Sequence, residues 1–408
     1  MTDPDALPRR FAPLGWSNLA AQSAEQIALA ALPIVAVLML GAGPGAVGLL
    51  SAAATLPFLL LSVPLGLAAD RGSRRALMAG AEGVRALSLL GLGAATASGV
   101  VSLPLLALLG FVGATGTVGF SVAAPALVPA LVPRRLLAVA NGRLELARSA
   151  AFAAGPALAG ALVAWTGASA AFALAATLSL LAGVALLRID EPARTAPMTR
   201  HLRVDLREGA ALVWQHAWLR PILLTAVVWN IAWFVLQAAY VPYAMRQLGL
   251  DAAGVGLTLG CYGVGMVCGA LLAARVLRVL PYGGAVLLGP LTSVAAIAVM
   301  LATLAWPSGA LAAVSFFLFG VGPILWTITA TTLRQHVTPG AMLGRVSAIF
   351  LTANAGARPL GAALGAWIGA TQGPAGCLLA AAVGFVLQAW LISASPLRTL
   401  RALPAAAA

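Results

Sequence analysis

The residues able to do chemistry in this chain are charges and amides standing inside apolar stretches. Asn18, Gln22 and Glu25 are spaced i, i+4, i+7, so all three share one helical face. A carboxylate in the middle of a bilayer costs roughly 3 kcal/mol or more. Glu25 is therefore expected either to take up a proton, because desolvation favours its neutral form, or to pair with a guanidinium. A carboxyl alternating between those states as water access changes would couple substrate movement to a proton gradient. The other reading is structural, with Glu25 held by Gln22 or by a neighbouring helix. Glu82 and Arg85 are i, i+3 and can neutralise each other, as a structural pair with the loop that carries Asp70. Arg143, Glu145 and Arg148 open a further apolar stretch. Arg143 can snorkel to headgroups, whereas Arg148 lies ~15 Å deeper than the helix start and is expected to face a cavity or Glu25.

Arg358 stands ~20 Å into its own stretch, directly before Pro359 and one turn after Asn354 on the same face. A guanidinium binds carboxylates or catecholates bidentately, so Arg358 could meet an anionic group of a substrate. The alternatives are a salt bridge to an acid such as Glu25, or water near the outer end of a cavity. Asn230, Trp233 and Gln237 share another face, and positions 229, 233, 236 and 240 form a largely aromatic stripe beside it; Trp326 with Thr327, Thr329, Thr331 and Thr332 is similar. Aromatic rings with a few amides suit amphiphilic organic ligands, although tryptophans at span ends serve equally as interfacial belts.

The elements that must position these groups follow from composition. The chain has 408 residues, of which 61% are hydrophobic and 9% charged. Soluble proteins carry about 25% charge, so this chain cannot wet the surface of a globule, and a soluble enzyme is excluded. Helices of ~20 apolar residues cross a bilayer. Cutting at Gly, Pro and Arg clusters predicts twelve spans, at 14–40, 47–69, 76–97, 102–130, 139–163, 168–187, 219–243, 253–274, 284–305, 309–333, 345–369 and 374–394. The first is read as a retained span, because Gln22, Glu25 and Gln26 interrupt any signal-peptide core. The fold class is all-α integral membrane, twelve helices in two six-helix bundles. Cys261, Cys268 and Cys377 lie in apolar segments without metal spacing, so neither a disulfide framework nor a metal site is expected.

The net charge of +13 is topological. All 24 basic residues are Arg; Arg246 alone falls on one side of the membrane, Arg85, Arg143, Arg148 and Arg358 fall inside spans, and every other Arg falls on the opposite side. That side is cytoplasmic by the positive-inside rule, which puts both termini in the cytoplasm and the protein in a cell (inner) membrane. No nucleic-acid partner is implied. The longest polar stretch divides the chain into an N-terminal bundle (1–187), a linker (188–218) and a C-terminal bundle (219–408). Within the linker, Arg203 to His216 suits an interfacial amphipathic helix, with Leu202, Leu206, Ala210 and Val213 on one face. The halves are related by a weak repeat at an offset of about 206, which aligns Gly155 with Gly361, Leu158 with Leu364 and Gly167 with Gly373. Duplicated bundles suit alternating access about a central site.

The segment Gly66-Leu67-Ala68-Ala69-Asp70-Arg71-Gly72-Ser73-Arg74-Arg75 resembles the G-x-x-x-D-R-x-G-R-R loop of the major facilitator superfamily, with its second Gly one place early. The resemblance implies two six-helix bundles worked by a rocker switch, with Asp70 near the start of the eleventh helix and paired with Arg to close the cytoplasmic side. Gly66, Asp70, Arg71, Arg74 and Arg75 would form that gate; Arg74 and Arg75 also read as positive-inside residues. Further segments, namely Glu208 to Arg220, Pro129 to Asn141, Gly155 to Gly160 and Val337 to Ser347, are similar to the drug and siderophore exporters that include macrolide efflux and enterobactin exporters. That branch usually has an acid where Glu25 stands.

The expected function is proton-coupled export of a hydrophobic or amphiphilic organic compound, driven by the proton gradient without a cofactor and performed by a monomer in the lipid bilayer. Uptake of an organic anion through Arg148 and Arg358 is the second reading. A membrane enzyme acting on a lipid carrier is the third, disfavoured because no His, Asp and Glu cluster stands in the spans.

Overall fold

A computed structural model describes residues 7–133, 136–191, 202–339 and 342–403. Among them the chain is helical, without a strand. The helices are α1 (Ala12–Leu40), α2 (Pro44–Arg71), α3 (Arg74–Ala97), α4 (Leu103–Leu131), α5 (Leu137–Trp165), α6 (Ala168–Leu187), α7 (Leu202–Gln215), α8 (Leu219–Arg246), α9 (Ala252–Val279), α10 (Tyr282–Ala302), α11 (Gly309–Val337), α12 (Leu343–Thr371) and α13 (Gly373–Ser393). All but α7 occupy the predicted spans. Eleven described helices are long and apolar enough to cross a membrane; α12 is long enough at 29 residues but, carrying Arg345 and Arg358, is not among them. The expected interfacial helix is α7, whose Val213 is buried against the core.

One local expectation changes. The Gly66-to-Arg75 segment is not a loop: α2 continues through Arg71, only Gly72 and Ser73 turn, and α3 starts at Arg74. Ala68 O accepts the Gly72 N–H at 2.8 Å, and the Ser73 hydroxyl caps α3 by accepting from Ala76 N at 3.1 Å.

Contacts group the chain into two units. The first comprises Met1–Ala42, Ala53–Met198 and Leu250–Gly260; the second comprises Gly43–Ala52, Thr199–Gly249 and Cys261–Ala408. In the first, α1 packs on α5 and α6, and α3 on α4 and α6. In the second, α8 packs on α12 and α13, and α10 on α11 and α13, which is the same pattern one repeat later. Both α5 and α12 open on a leucine, Leu137 and Leu343, which stand 206 residues apart.

The repeated glycines have a packing reason. A Cβ on Gly155 would lie 2.5 Å from Gln26 Cβ, where α5 crosses α1; a Cβ on Gly361 would lie 2.5 Å from Ile231 O and 2.8 Å from Ile231 Cα, where α12 crosses α8. Without a side chain at the crossing, the backbones approach closely. Since Ile231 presents backbone that cannot swing aside, Gly361→Ala is expected to cost about 1–3 kcal/mol. Gly66→Ala, whose Cβ would meet open space, is expected to be neutral or mildly stabilising within its helix. Thermal midpoints in detergent check both, and equal midpoints would remove the packing argument.

Two ends of the second unit are closed by unusual partners. At the α7–α8 joint, His216 Nδ1 accepts from the backbone N–H groups of Trp218 at 3.2 Å and Leu219 at 3.4 Å, capping α8. Burial holds this imidazole below its ordinary range, so the folded chain binds the proton less tightly than the unfolded one. The cap's contribution is therefore complete above about pH 6.5 and declines as pH falls below it. Acidification from about pH 7.5 to about 5.5 should lower the thermal midpoint of the wild type more than that of His216→Asn, whose amide oxygen accepts at any pH; equal shifts would dismiss the cap. At α10, the first N–H groups are met by the chain's own tail. Gly283 N donates to Leu400 O at 2.7 Å and Tyr282 N to Arg401 O at 3.2 Å, anchored by the fully buried Leu397.

Candidate functional site

The first group of candidates lies on α1 and α5. Asn18 is buried and donates through Nδ2 to Leu144 O at 3.1 Å. With Gln26 against Gly155 two turns further on, this contact sets the register of the two helices, and Gln22 and Glu25, both half-buried, stand between the two contacts. Arg148 was expected toward a cavity or Glu25. It is held bidentately by Glu145, one turn earlier, with Nη2 to Oε1 at 2.5 Å and Nε to Oε2 at 3.0 Å, and its guanidinium lies 5.5 Å from the Phe152 ring centre. The i, i+3 spacing that identified Glu82 and Arg85 is present here too, and was the available signal for Glu145.

A second group lies on α8 and α12. Asn230 donates through Nδ2 to Asn354 Oδ1 at 3.2 Å and to Ala226 O at 2.9 Å. Asn354, Arg358 and Gly361 share one face of α12, so Arg358, half-buried, stands at the α8 seam between the amide pair and the Ile231 contact. The indole of Trp233 stacks on Trp229 with centroids 5.3 Å apart and leans on Tyr262 at 5.0 Å, Phe319 at 5.3 Å and Phe316 at 6.0 Å. Trp229 Nε1 donates to Ser293 Oγ at 3.2 Å. Tyr240, at the end of the predicted stripe, is fully buried and belongs to the core. Gln237 is half-buried on the face of Trp233. Of the threonines of α11, Thr327, Thr329 and Thr332 donate to carbonyls of their own helix.

The cytoplasmic segment is held from an unexpected direction. The Glu191 carboxylate, just past α6, accepts from Ser73 Oγ at 2.6 Å and from the backbone N–H groups of Arg74 and Arg75 at 3.1 Å each. This is a carboxylate at the positive end of α3, where the dipole favours it. Arg75 Nη1 donates to Ile189 O at 3.0 Å. Arg71, the last residue of α2, is exposed. The Asp70 side chain, on which the gating expectation centred, lies outside the described residues.

Glu82 and Arg85 are fully buried between α3, α4 and α6. Arg85 Nη2 meets both Glu82 oxygens at 2.5 Å, Arg85 Nε donates to Ser179 Oγ at 3.0 Å, and Ser179 Oγ donates to Glu82 Oε2 at 2.5 Å. Arg85 Nη1 reaches Thr117 Oγ1 at 3.5 Å. The partners among the described residues are thus each other, α4 and α6.

The family model described as Major Facilitator Superfamily matches residues 14–362. An uncharacterised MFS-type transporter of Sinorhizobium fredii is 30% identical over 255 residues, which is 58% of this chain and 58% of that protein; the match thus spans little more than half of the relative. Among solved structures, a nucleoside transporter is similar with a TM-score of 0.75 at 11% identity, over 94% of this chain and 98% of that one. A bacterial homologue of the iron transporter ferroportin in an inward-facing state gives 0.74 at 18%, over 95% and 99%. A D-xylose–proton symporter gives 0.72 at 16%, over 94% and 96%. At these identities the likeness is one of fold.

Proposed function

Because the chain belongs to the Major Facilitator Superfamily, a family of multi-pass membrane transporters of small molecules, we propose that it exports a hydrophobic or amphiphilic organic compound in exchange for protons. The observation that carries this reading is Glu25: a carboxyl near mid-span on α1, half-buried, on the face that Asn18 locks against α5. At that depth a carboxyl must trade a proton for a counter-ion, which is what coupling requires. The exporter branch is supported by the Gly155-Pro156 pair, which lets α5 press against α1. The protein is read as a monomer in the cell (inner) membrane with both termini in the cytoplasm, on the arginine distribution. Asn230, Asn354, Trp233 and Gln237 would receive the compound with an aromatic face and amides.

Uptake or exchange of an organic anion is the second reading, favoured by Arg358 beside the Asn230–Asn354 pair. Proteoliposomes loaded with a pH dye separate the two, using as substrates the small molecules that co-purify with the protein. Export predicts proton leak on adding the compound. Accumulation driven by membrane potential alone, and lost only in Arg358→Ala, would overturn export in favour of the anion.

A further inference from the structure

Helices of the second unit pack on several sides of α8. α12 lies against Ile231, Val235 and Ala238 through Gly361 and Gly365, and α13 against Ala232 through Gly384. α9 and α11 lie against Trp233, whose indole is ringed by Tyr262, Phe316 and Phe319 as well as by Trp229. By the helical period, the strip between the α12 side and the Trp233 side is the one that carries Asn230 and Gln237. Both are half-buried, and they stand about 10 Å apart along the helix.

The polar groups of this strip are not spent on the protein. Asn230 gives its Nδ2 hydrogens to Ala226 O and Asn354 Oδ1, which leaves Asn230 Oδ1 as an acceptor and Asn354 Nδ2 as a donor. Neither of those atoms, nor Trp233 Nε1, nor either amide atom of Gln237 makes a hydrogen bond among the described residues, and none of them is sealed inside the protein. Trp229 Nε1, by contrast, is held by Ser293. In the middle of a span, a polar group without a protein partner is costly unless water or a ligand answers it.

The charge around the strip has one sign. The second unit contains two acids, Asp205 and Glu208, both on α7, and Glu208 is paired with Arg345. No Asp or Glu follows Asp251 in the sequence. The charge that α12 brings to the α8 seam is the guanidinium of Arg358. An organic cation would therefore lose its water here without gaining a carboxylate, and an indole enclosed by four other rings leaves little π-face for it.

We infer that the α8–α12 seam selects uncharged compounds whose edge carries alternating hydrogen-bond donors and acceptors over about 10 Å, and that it rejects organic cations. The inference rests on the reading of this seam as the place that receives the compound, and narrows it from an amphiphile of any charge. Asn230 Oδ1 takes an N–H or O–H of the ligand, Asn354 Nδ2 and Trp233 Nε1 give to its carbonyls or hydroxyls, and Gln237 does both. Amides and sugar hydroxyls share this chemistry.

Charge can be varied on one skeleton. The phenylalanyl-phenylalanine dipeptide is uncharged when blocked at both ends, a cation when only its carboxyl is blocked, and an anion when only its amine is blocked. A phenylethyl glucoside serves as the uncharged hydroxyl probe, and which of the two uncharged probes binds tells amide from sugar. In calorimetry on the protein in lipid nanodiscs, an uncharged probe should bind about tenfold or more tightly than the cation. Gln237→Leu should weaken that binding about three- to tenfold without moving the thermal midpoint, because Gln237 holds nothing in the protein. Gln237→Glu, read at about pH 8, should shift the preference toward the cation. The inference is overturned if the cation binds wild type as tightly as the uncharged probes, if neither uncharged probe binds, or if Gln237→Leu binds like the wild type. Tightest binding of the anion, lost in Arg358→Ala, overturns it in favour of the organic-anion reading. Binding needs no proton gradient, so Glu25→Gln should bind the uncharged probe unchanged. If that probe binds as expected but moves no protons in proteoliposomes, proton-coupled export fails and the selectivity stands; if the cation drives proton movement, export stands and the selectivity fails.

Discussion

Glu25→Gln is expected to abolish substrate-driven proton movement into or out of proteoliposomes while leaving the amount of folded, monodisperse protein unchanged. Glutamine keeps the shape of the acid and imitates its protonated form, so the α1 face that holds Asn18 against Leu144 O has no reason to shift. What disappears is the one carboxyl on α1 that can alternate between a proton and a guanidinium. Binding and passive exchange of substrate should persist, because neither requires the charge, whereas uphill transport driven by a pH gradient should fall to background. A luminal pH dye and a labelled substrate, followed together, separate these outcomes. Wild-type coupling in the variant would remove Glu25 from the mechanism.

The second large effect is on stability. Arg85→Met should destabilise the protein by about 3–5 kcal/mol, because it strands the Glu82 carboxylate in a fully buried position with only the Ser179 hydroxyl to answer it. Glu82→Leu combined with Arg85→Met should recover most of that loss, since replacing both members of a buried ion pair with apolar groups of similar volume is often neutral. Thermal midpoints in detergent give the comparison. A single variant as stable as the wild type, or a double variant worse than the single, would show that the pair is not an isolated structural element.

What the sequence discloses depends on the distance over which a cause acts. Helix positions are legible because about 20 apolar residues must cross a bilayer wherever they occur, and the twelve predicted segments coincide with twelve long helices. The repeat is legible because Gly155 and Gly361 meet the same requirement in each half, a neighbouring backbone too close for a Cβ. Pairs one turn apart, such as Glu82–Arg85 and Glu145–Arg148, follow from helical geometry alone. The partners of Ser73 and Arg75 were not legible: Glu191 lies more than a hundred residues away, and nothing local marks it as the acid that closes α3. For the same reason Arg358 could be placed on a face but not beside Asn230 until α8 and α12 were seen to cross at Ile231 and Gly361.

The contact between the tail and α10 bears on the order in which the protein can be made. The first N–H groups of α10 find their acceptors at Leu400 and Arg401, which leave the ribosome only after α11, α12 and α13 have been synthesised. Until then α10 presents unsatisfied donors at its start, a position that water or headgroups must cover in the meantime. The second unit therefore cannot reach its final form during elongation past α10, and must complete itself late, by a stretch of chain that doubles back on a helix inserted well before it.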